Sequence, residues 1–289
     1  MSPEKHTMRL DQELVRRGLA RSRSHAAQLI AAGRVLRDGS PTLKASAPVG
    51  ADQHLIVQGE GPEYVSRAGH KLDGALRGFP DVIPTGKRCL DAGASTGGFT
   101  EVLLRAGAHE VAAVDVGHGQ LAEALRCDPR VRVFEGMNVR HLTPEQIGGP
   151  ADLTVADLSF ISLRLVLEAL IGATKRGGEM LLMVKPQFEV GRAGLNSQGI
   201  VTSPSERRRA VWGVLRDALA LGAEVAGLAR SGLPGQDGNI EYFVWIRVPQ
   251  SGLMPRIEED LDPLTDYLLT SSAAFAGIPG SITTTEPND

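Results

Sequence analysis

The chain has 289 residues, 42% of them hydrophobic and 22% charged, with a formal net charge of -3. That length suits one large or two smaller domains with a real core, and the near-balance of charge excludes a uniformly basic nucleic-acid binder. Cys89 and Cys127 are its two cysteines, and without paired spacing they argue against a disulfide framework or a zinc site, so no metal is expected. No stretch approaches the roughly 18 apolar residues of a membrane span, and the opening MSPEKHTMRLDQELVRR lacks the apolar core of a signal peptide. The expectation is a cytoplasmic protein with no membrane partner.

The average charge hides a gradient. Residues 1–60 carry nine Lys and Arg against six Asp and Glu, residues 61–249 carry 21 of each, and residues 250–289 carry one against seven. A basic front and an acidic end say more about partners than the sum does.

In chain order, MRLDQELVRRGLA places Leu10, Leu14 and Val15 at helical spacing and ends at Gly18. SRSHAAQLIAAG follows, with Ser22 or Ser24 able to cap a helix that carries Ala26, Leu29 and Ile30 and stops at Gly33. RVLRDGS is a short strand running into a turn at Asp38-Gly39, and HLIVQG is a closing strand. Residues 1–60 therefore form a small α+β domain. Arg16, Arg17, Arg21 and Arg23 cluster between its helices, as a solvated face or as a phosphate-contacting patch. The Gly/Pro-rich stretch at 57–64 is the expected linker.

A helix over SRAGHKLDGALRGF opens the second domain, residues 65–249. From Lys87 onward apolar runs alternate with helical segments: RCLDAG, EVAAVDV, RVRVFEG, ADLTVADLSF, EMLLMVKP, EVAGLARS and EYFVWIRV. The alternation predicts an α/β fold with a doubly wound, Rossmann-like parallel sheet. No helix separates the last two runs, so they should pair as an antiparallel hairpin at one edge. LRLVLEALIGAT reads as one helix, and Ser203, Pro204 and Glu206 signal a capping box on another that ends at Gly222. The connection PQFEVGRAGLNSQGIVTS is long and glycine-rich, which suggests a moving, RNA-contacting loop. Three consecutive arginines, Arg207 to Arg209, oppose the dipole of the helix they begin. Residues 250–289 read as a flexible acidic tail with a short helix near Leu261 to Leu269.

A doubly wound sheet binds ligands at the carboxyl ends of its strands. There, KRCLDAGASTGGFTEVLLRAGA sets Asp91 before Gly93, Ala94, Ser95, Gly97, Gly98 and Phe99. The spacing is wrong for a dinucleotide fingerprint, and Asp91 would repel a pyrophosphate. An acid here suits a ligand that is cationic at that point, and S-adenosylmethionine fits, with the glycines letting its methionine part lie on bare backbone. Asp115, 24 residues later, is placed to grip ribose hydroxyls, and Asn138 to reach the adenine. Asp157 stands after the fourth strand, where base N-methylating enzymes carry an Asn/Asp-Pro-Pro-aromatic run; here the stretch reads ADLSF. Neither cysteine is placed for covalent attack on a base. A hydroxyl acceptor fits better, and Lys185, ending an apolar strand, could remove or orient its proton.

Lys71, Asp157, Lys185 and Glu241 together resemble the Lys-Asp-Lys-Glu tetrad of the FtsJ-type (RrmJ-type) ribose 2′-O-methyltransferases. RLDQELVRRGLARSRSHAAQLIAAGRV, YVSRAGHKL, LDAGASTGGFT, VADLSFISL, MVKPQFE and GNIEYF, in that order, are similar to the TlyA family up to about residue 249. The resemblance implies a class I methyltransferase sheet behind an S4-type RNA-binding domain. It further implies S-adenosylmethionine as donor, 2′-O-methylation of cytidine in ribosomal RNA or ribosomal subunits, and catalytic roles for the four residues. Asp157 also falls in the cofactor set, and Arg67 and Arg192 join Arg16, Arg17, Arg21 and Arg23 as candidate RNA contacts. A monomer or weak homodimer is expected. The rival readings are a non-catalytic RNA-binding assembly factor and a haemolysin-like, membrane-acting protein.

Overall fold

The computed structural model describes residues 7–57 apart from 21, 32, 51 and 52, and residues 64–252 apart from 236. The chain divides into two compact units, Met1–Glu63 and Tyr64–Asp289. Most of the expected linker, the tail from 253 onward with its expected helix, and Arg21 lie outside the described residues.

The first unit runs β1 (Thr7–Arg9), α1 (Leu10–Arg16), α2 (Arg23–Ala31), β2 (Val35–Arg37), β3 (Ser40–Pro41), β4 (Pro48–Gly50) and β5 (Leu55–Val57). β1 pairs with β4, and β2 pairs with β3 and β5, all antiparallel. Leu10 and Leu14 of α1 and Ala26 and Ile30 of α2 meet Val35, Val49 and Leu55 in one core. Ser22 is the cap of α2, its Oγ accepting from the His25 N–H at 3.2 Å. Leu14 is fully buried. Leu14→Ala is therefore expected to cost this unit about 2–5 kcal/mol, read as a lower urea midpoint; an unchanged midpoint would mean that the unit has no core of its own.

The second unit opens with α3 (Arg67–Gly78) and continues β6 (Arg88–Ala92), α4 (Gly98–Arg105), β7 (Glu110–Val114), α5 (Glu123–Arg126), β8 (Val131–Phe134) and β9 (Ala151–Ala156). It closes with α6 (Leu167–Ala173), β10 (Thr174–Val184), α7 (Pro186–Glu189), α8 (Pro204–Ala220), β11 (Glu224–Arg230) and β12 (Tyr242–Arg247). The seven strands lie in the order β11-β12-β10-β9-β6-β7-β8. Pairings from β10 through β8 are parallel, and β12 runs antiparallel to both β10 and β11. The expected hairpin exists, with β11 alone at the edge and β12 inside the sheet.

A sheet buried on both faces needs apolar residues at every position of its strands. Met180, Leu182 and Val184 of β10 and Tyr242, Val244 and Ile246 of β12 join the core under α6 and α8. Leu181, Met183, Phe243 and Trp245 point into the other core, with Leu72 of α3 and Phe99, Val102 and Leu103 of α4. These two layers fix the carboxyl ends of β6, β7, β9 and β10 along one edge.

Several elements depart from the sequence reading. The stretch LRLVLEALIGAT splits into a 3₁₀ turn, Leu163–Leu165, and α6. β10 begins at Thr174, because that residue pairs with Ala151 and its hydroxyl meets those of Thr154 and the Leu170 carbonyl, both at 2.7 Å. Ser203 caps α8, its Oγ accepting from the Glu206 N–H at 3.4 Å, while the Glu206 carboxylate turns to Arg209 instead of closing the capping box. The long connection is folded: it contains α7 and a 3₁₀ turn at Arg192–Gly194, Asn196 Oδ1 accepts from the Gln198 and Ile200 N–H groups, and Val190 and Val201 pack on Ala210. The arginine run serves this connection. Arg207 donates to the carbonyls of Val201 and Thr202 at 2.9 and 2.8 Å, and Arg209 to that of Val190 at 3.1 Å. Those carbonyls, and Glu206 beside Arg209, offset the unfavourable dipole.

Candidate active site

A cavity of about 570 Å³ opens where β6, β7 and β9 end; Gly93, Ser95, Asp115, Asn138 and Asp157 line it. The loop after β6 owes its shape to two glycines. Gly93 has φ +88°, and a Cβ there would sit 2.9 Å from the Asp157 carbonyl; Gly97 has φ +96°, and a Cβ would strike Leu121 and Leu125. The loop is also tied to the β7 acid: Asp115 accepts from the Ser95 N–H at 2.8 Å and from the Gly117 N–H at 2.7 Å. Two backbone donors thus hold its carboxylate in one orientation, with lone pairs left for a ligand.

Asp91 lies one residue before the end of β6 and is fully buried. Thr100 Oγ1 donates to its Oδ2 at 2.6 Å, and its Oδ1 is buried without a hydrogen-bond partner. Burial pushes its carboxyl up to about 7; the Thr100 bond opposes this, and the charges of Asp157 and Asp115 add to it. The remaining loop residues do other work. Ala94 is buried and its N–H donates to the Val114 carbonyl at 3.0 Å. Gly98 lets α4 approach α3, since a Cβ would meet Ser66 and the Gly69 nitrogen. The Phe99 ring stacks on Phe243 in the core, centroids 6.1 Å apart, rather than on the cavity. Asn138 caps a 3₁₀ turn, accepting from the Arg140 N–H at 3.0 Å, with its side chain at the cavity wall.

Beside the cavity stand two ion pairs. Lys185 Nζ is 2.6 Å from Asp157 Oδ1 and donates to Ser159 Oγ at 2.8 Å. Lys71 Nζ donates to Glu241 Oε2 at 2.5 Å in a buried pair. The sheet explains the convergence. Ala156 pairs with Leu182, and Val184 with Tyr242, so Asp157, Lys185 and Glu241 are each the next residue beyond a paired position at the same sheet end. Gly235 lies over Glu241, where a Cβ would come 2.7 Å from Oε1. Sequence reasoning passed over Ser159 and Phe160. Phe160 is 91% exposed, with a non-glycine φ of +64°, and its ring lies 5.4 Å from that of Phe188. Its one signal was an aromatic residue in a strand-end turn beside an acid.

The cysteines carry no nucleophile: burial pushes Cys89 up to about 12, and Glu123, accepting from the Cys127 thiol, raises that one too.

The candidate RNA arginines of the first unit are largely paired. Glu13, 2% exposed, accepts from Arg16 at 2.6 and 2.7 Å and from Arg17 at 2.6 Å, and Asp11 accepts from Arg9 and Arg23, each at 3.0 Å. Arg16 chiefly, and Arg9 chiefly, hold the Glu13 and Asp11 carboxyls at about 2. Arg17 also donates to the carbonyls of Gln53 and Gly50, so it faces inward rather than forming a free phosphate contact. Arg67 reaches the Pro234 carbonyl at 3.3 Å, and Arg192 is exposed. Among the described residues no helix is long and apolar enough to cross a membrane.

A largely parallel sheet with one inserted antiparallel strand, and a glycine loop and acids at its strand ends, is the frame of a Rossmann-like methyltransferase. The chain belongs to the FtsJ-like methyltransferase family, whose model matches residues 64–248, and an S4 domain model matches residues 8–55. Among relatives, the 16S/23S rRNA (cytidine-2′-O)-methyltransferase TlyA of Mycobacterium tuberculosis is 55% identical over 240 residues, 83% of this chain and 89% of that protein. Hemolysin A of Brachyspira hyodysenteriae is 36% identical over 238 residues, 82% and 98% of the two chains. A solved structure from Streptococcus thermophilus, described as a candidate hemolysin, superposes with a TM-score of 0.69 at 34% identity, covering 91% of this chain and 96% of that one.

Proposed function

We propose that the chain transfers a methyl group from S-adenosylmethionine to the ribose 2′-hydroxyl of a cytidine in ribosomal RNA, on ribosomal subunits in the cytoplasm. The observation that carries this is Lys185, held by Asp157 and Ser159 at the cavity edge with the Lys71–Glu241 pair alongside. The strand-end residues fit the donor: Gly93, Asp115 and Asn138 line the cavity, and Asp91 is buried in the strand that leads to it. Asp91 Oδ1 is a buried acceptor without a partner, suited to an ammonium group, and Gly93 leaves a cradle that a Cβ would fill. Asp115 would take the donor's ribose hydroxyls, and Asn138 the adenine side. The donor supplies an electrophilic methyl on a sulfonium.

The protein's own task is the acceptor oxygen. With Asp157 and Ser159 occupying two directions around Lys185 Nζ, a third remains for the 2′-hydroxyl, whose oxygen it orients for attack. The hydroxyl proton would leave to the Lys185–Asp157 pair as the donor's methyl–sulfur bond gives way to the new methyl–oxygen bond, leaving a neutral thioether. Lys71 and Glu241 neutralise each other out of water and hold α3 against the start of β12. Phe160 offers its exposed ring to a base of the RNA strand. Phe160→Ala should lower kcat/KM for RNA about 10- to 100-fold, the worth of one stacked base; an unchanged kcat/KM would remove the stacking role.

The test is tritium transfer from labelled S-adenosylmethionine to purified ribosomal subunits and to naked rRNA. Label in an alkali-resistant dinucleotide containing cytidine is expected. Label in an alkali-sensitive product, or none despite measurable cofactor binding, would overturn the reading.

A further inference from the structure

The segment after β9, residues 157–163, carries Asp157, Ser159 and Phe160, and α7 carries Lys185 at its cap. The two meet at three successive places. Lys185 pairs with Asp157 and Ser159, and the Phe188 ring packs on Phe160. Glu189 then accepts from Ser162 Oγ at 2.6 Å and from the Leu163 N–H at 2.7 Å, one carboxylate oxygen for each. Nothing in the chemistry above requires this last contact. Glu189 lines no part of the donor cavity; with Arg164, Arg209 and Arg216 it lines a separate pocket of about 280 Å³. Burial raises its carboxyl, the bonds from Ser162 and Leu163 and the charge of Arg164 oppose this, and Asp217 adds to it. Behind it, Arg209 donates to the carbonyl of Val190, the next residue, and so ties the end of α7 to α8.

We propose that Glu189 is a positioning residue of the acceptor site: its carboxylate fastens segment 157–163 to α7 and so fixes Asp157 and Phe160 relative to Lys185. This rests on the function proposed above. The contact ends a segment whose other end supplies the partner of the catalytic lysine, and a displacement of 1 Å at reacting groups costs on the order of 10²-fold in rate.

The test compares wild type with Glu189→Ala, Glu189→Gln, Ser162→Ala and the Ser162→Ala/Glu189→Ala double variant. The readouts are kcat and KM for RNA, cofactor Kd, and hydrogen exchange at the Leu163 amide. Glu189→Ala should lower kcat about 30- to 100-fold, leave cofactor Kd and KM within about threefold, and speed Leu163 exchange at least about tenfold. Glu189→Gln should recover most of the rate, since its amide oxygen can accept from Leu163 and its NH₂ can donate to Ser162 Oγ. The double variant should fall short of the product of the two single effects, because both remove one contact. A Glu189→Ala enzyme with wild-type kcat or undisturbed Leu163 exchange would overturn the proposal. So would a loss that Gln does not restore, or one matched by lost cofactor affinity. A wild type that transfers no methyl to RNA would instead sink the function itself, and Leu163 exchange would then judge the clamp alone.

Discussion

Lys185→Ala is expected to abolish methyl transfer, by about 10³-fold or more, while cofactor Kd stays within about threefold. Lys185 does not line the donor cavity, so its loss should not empty that site, whereas Asp157 and Ser159 do line it and remain in place. What disappears is the group that meets the acceptor oxygen, together with a counter-charge of Asp157, 2.6 Å away. Lys185→Arg should not rescue. A guanidinium is a planar fork that stays charged, and it cannot offer the third direction of an ammonium held by two fixed partners. Single-turnover transfer beside calorimetric cofactor titration separates the two quantities. A Lys185→Ala protein that no longer binds cofactor would move Lys185 from the chemistry to the donor site.

Cofactor affinity should rise about tenfold between pH 6 and pH 8, and Asp91→Asn should make it nearly flat. The sign follows from the raised carboxyl. With its pKa at about 7 in the free protein, Asp91 is mostly protonated at pH 6 and mostly ionised at pH 8. A cationic amino group favours the ionised form, so binding expels the proton below pH 7, and one proton over that interval corresponds to about one decade of Kd. The stability of the cofactor-free protein runs the other way. The folded chain holds this proton more tightly than the unfolded chain, so the contribution is complete below about pH 4 and is lost as pH rises through about 7. Calorimetry in two buffers of different ionisation heat would detect the released proton directly. A Kd independent of pH, with no proton release, would take Asp91 away from the cofactor's charge.

The inner strands of the large sheet were legible because β7, β9, the second half of β10 and β12 are buried on two faces and read as largely apolar runs. The place of β12 between β10 and β11 was not, since an apolar run carries no label for its neighbour. β1 and β4, three residues each, are too short for any period to show. In the site, Asp91, Asp115 and Lys185 announced themselves as charges at the ends of apolar strands. Gly98 and Phe99 sit in the same loop motif yet serve the packing of α4, a distinction that depends on which side of the loop α3 and Phe243 occupy. The pairing of Arg16 and Arg17 with Glu13 was present in the spacing, three and four residues apart on one helix. Glu189 gave no signal, because its partners lie 27 and 26 residues away across a strand and a helix.

The ion pair between Lys71 and Glu241 joins residues 170 positions apart. All the cavity-lining residues have left the ribosome well before Glu241 does, since the last of them is Val166. During synthesis Lys71 therefore waits for its counter-ion until the residue before β12 is made. A nascent or prematurely terminated chain would hold the pieces of a cofactor pocket and an unpaired lysine, but no finished acceptor site. The acceptor side of the site is thus completed only by a residue at the threshold of the last strand, 170 positions after its partner.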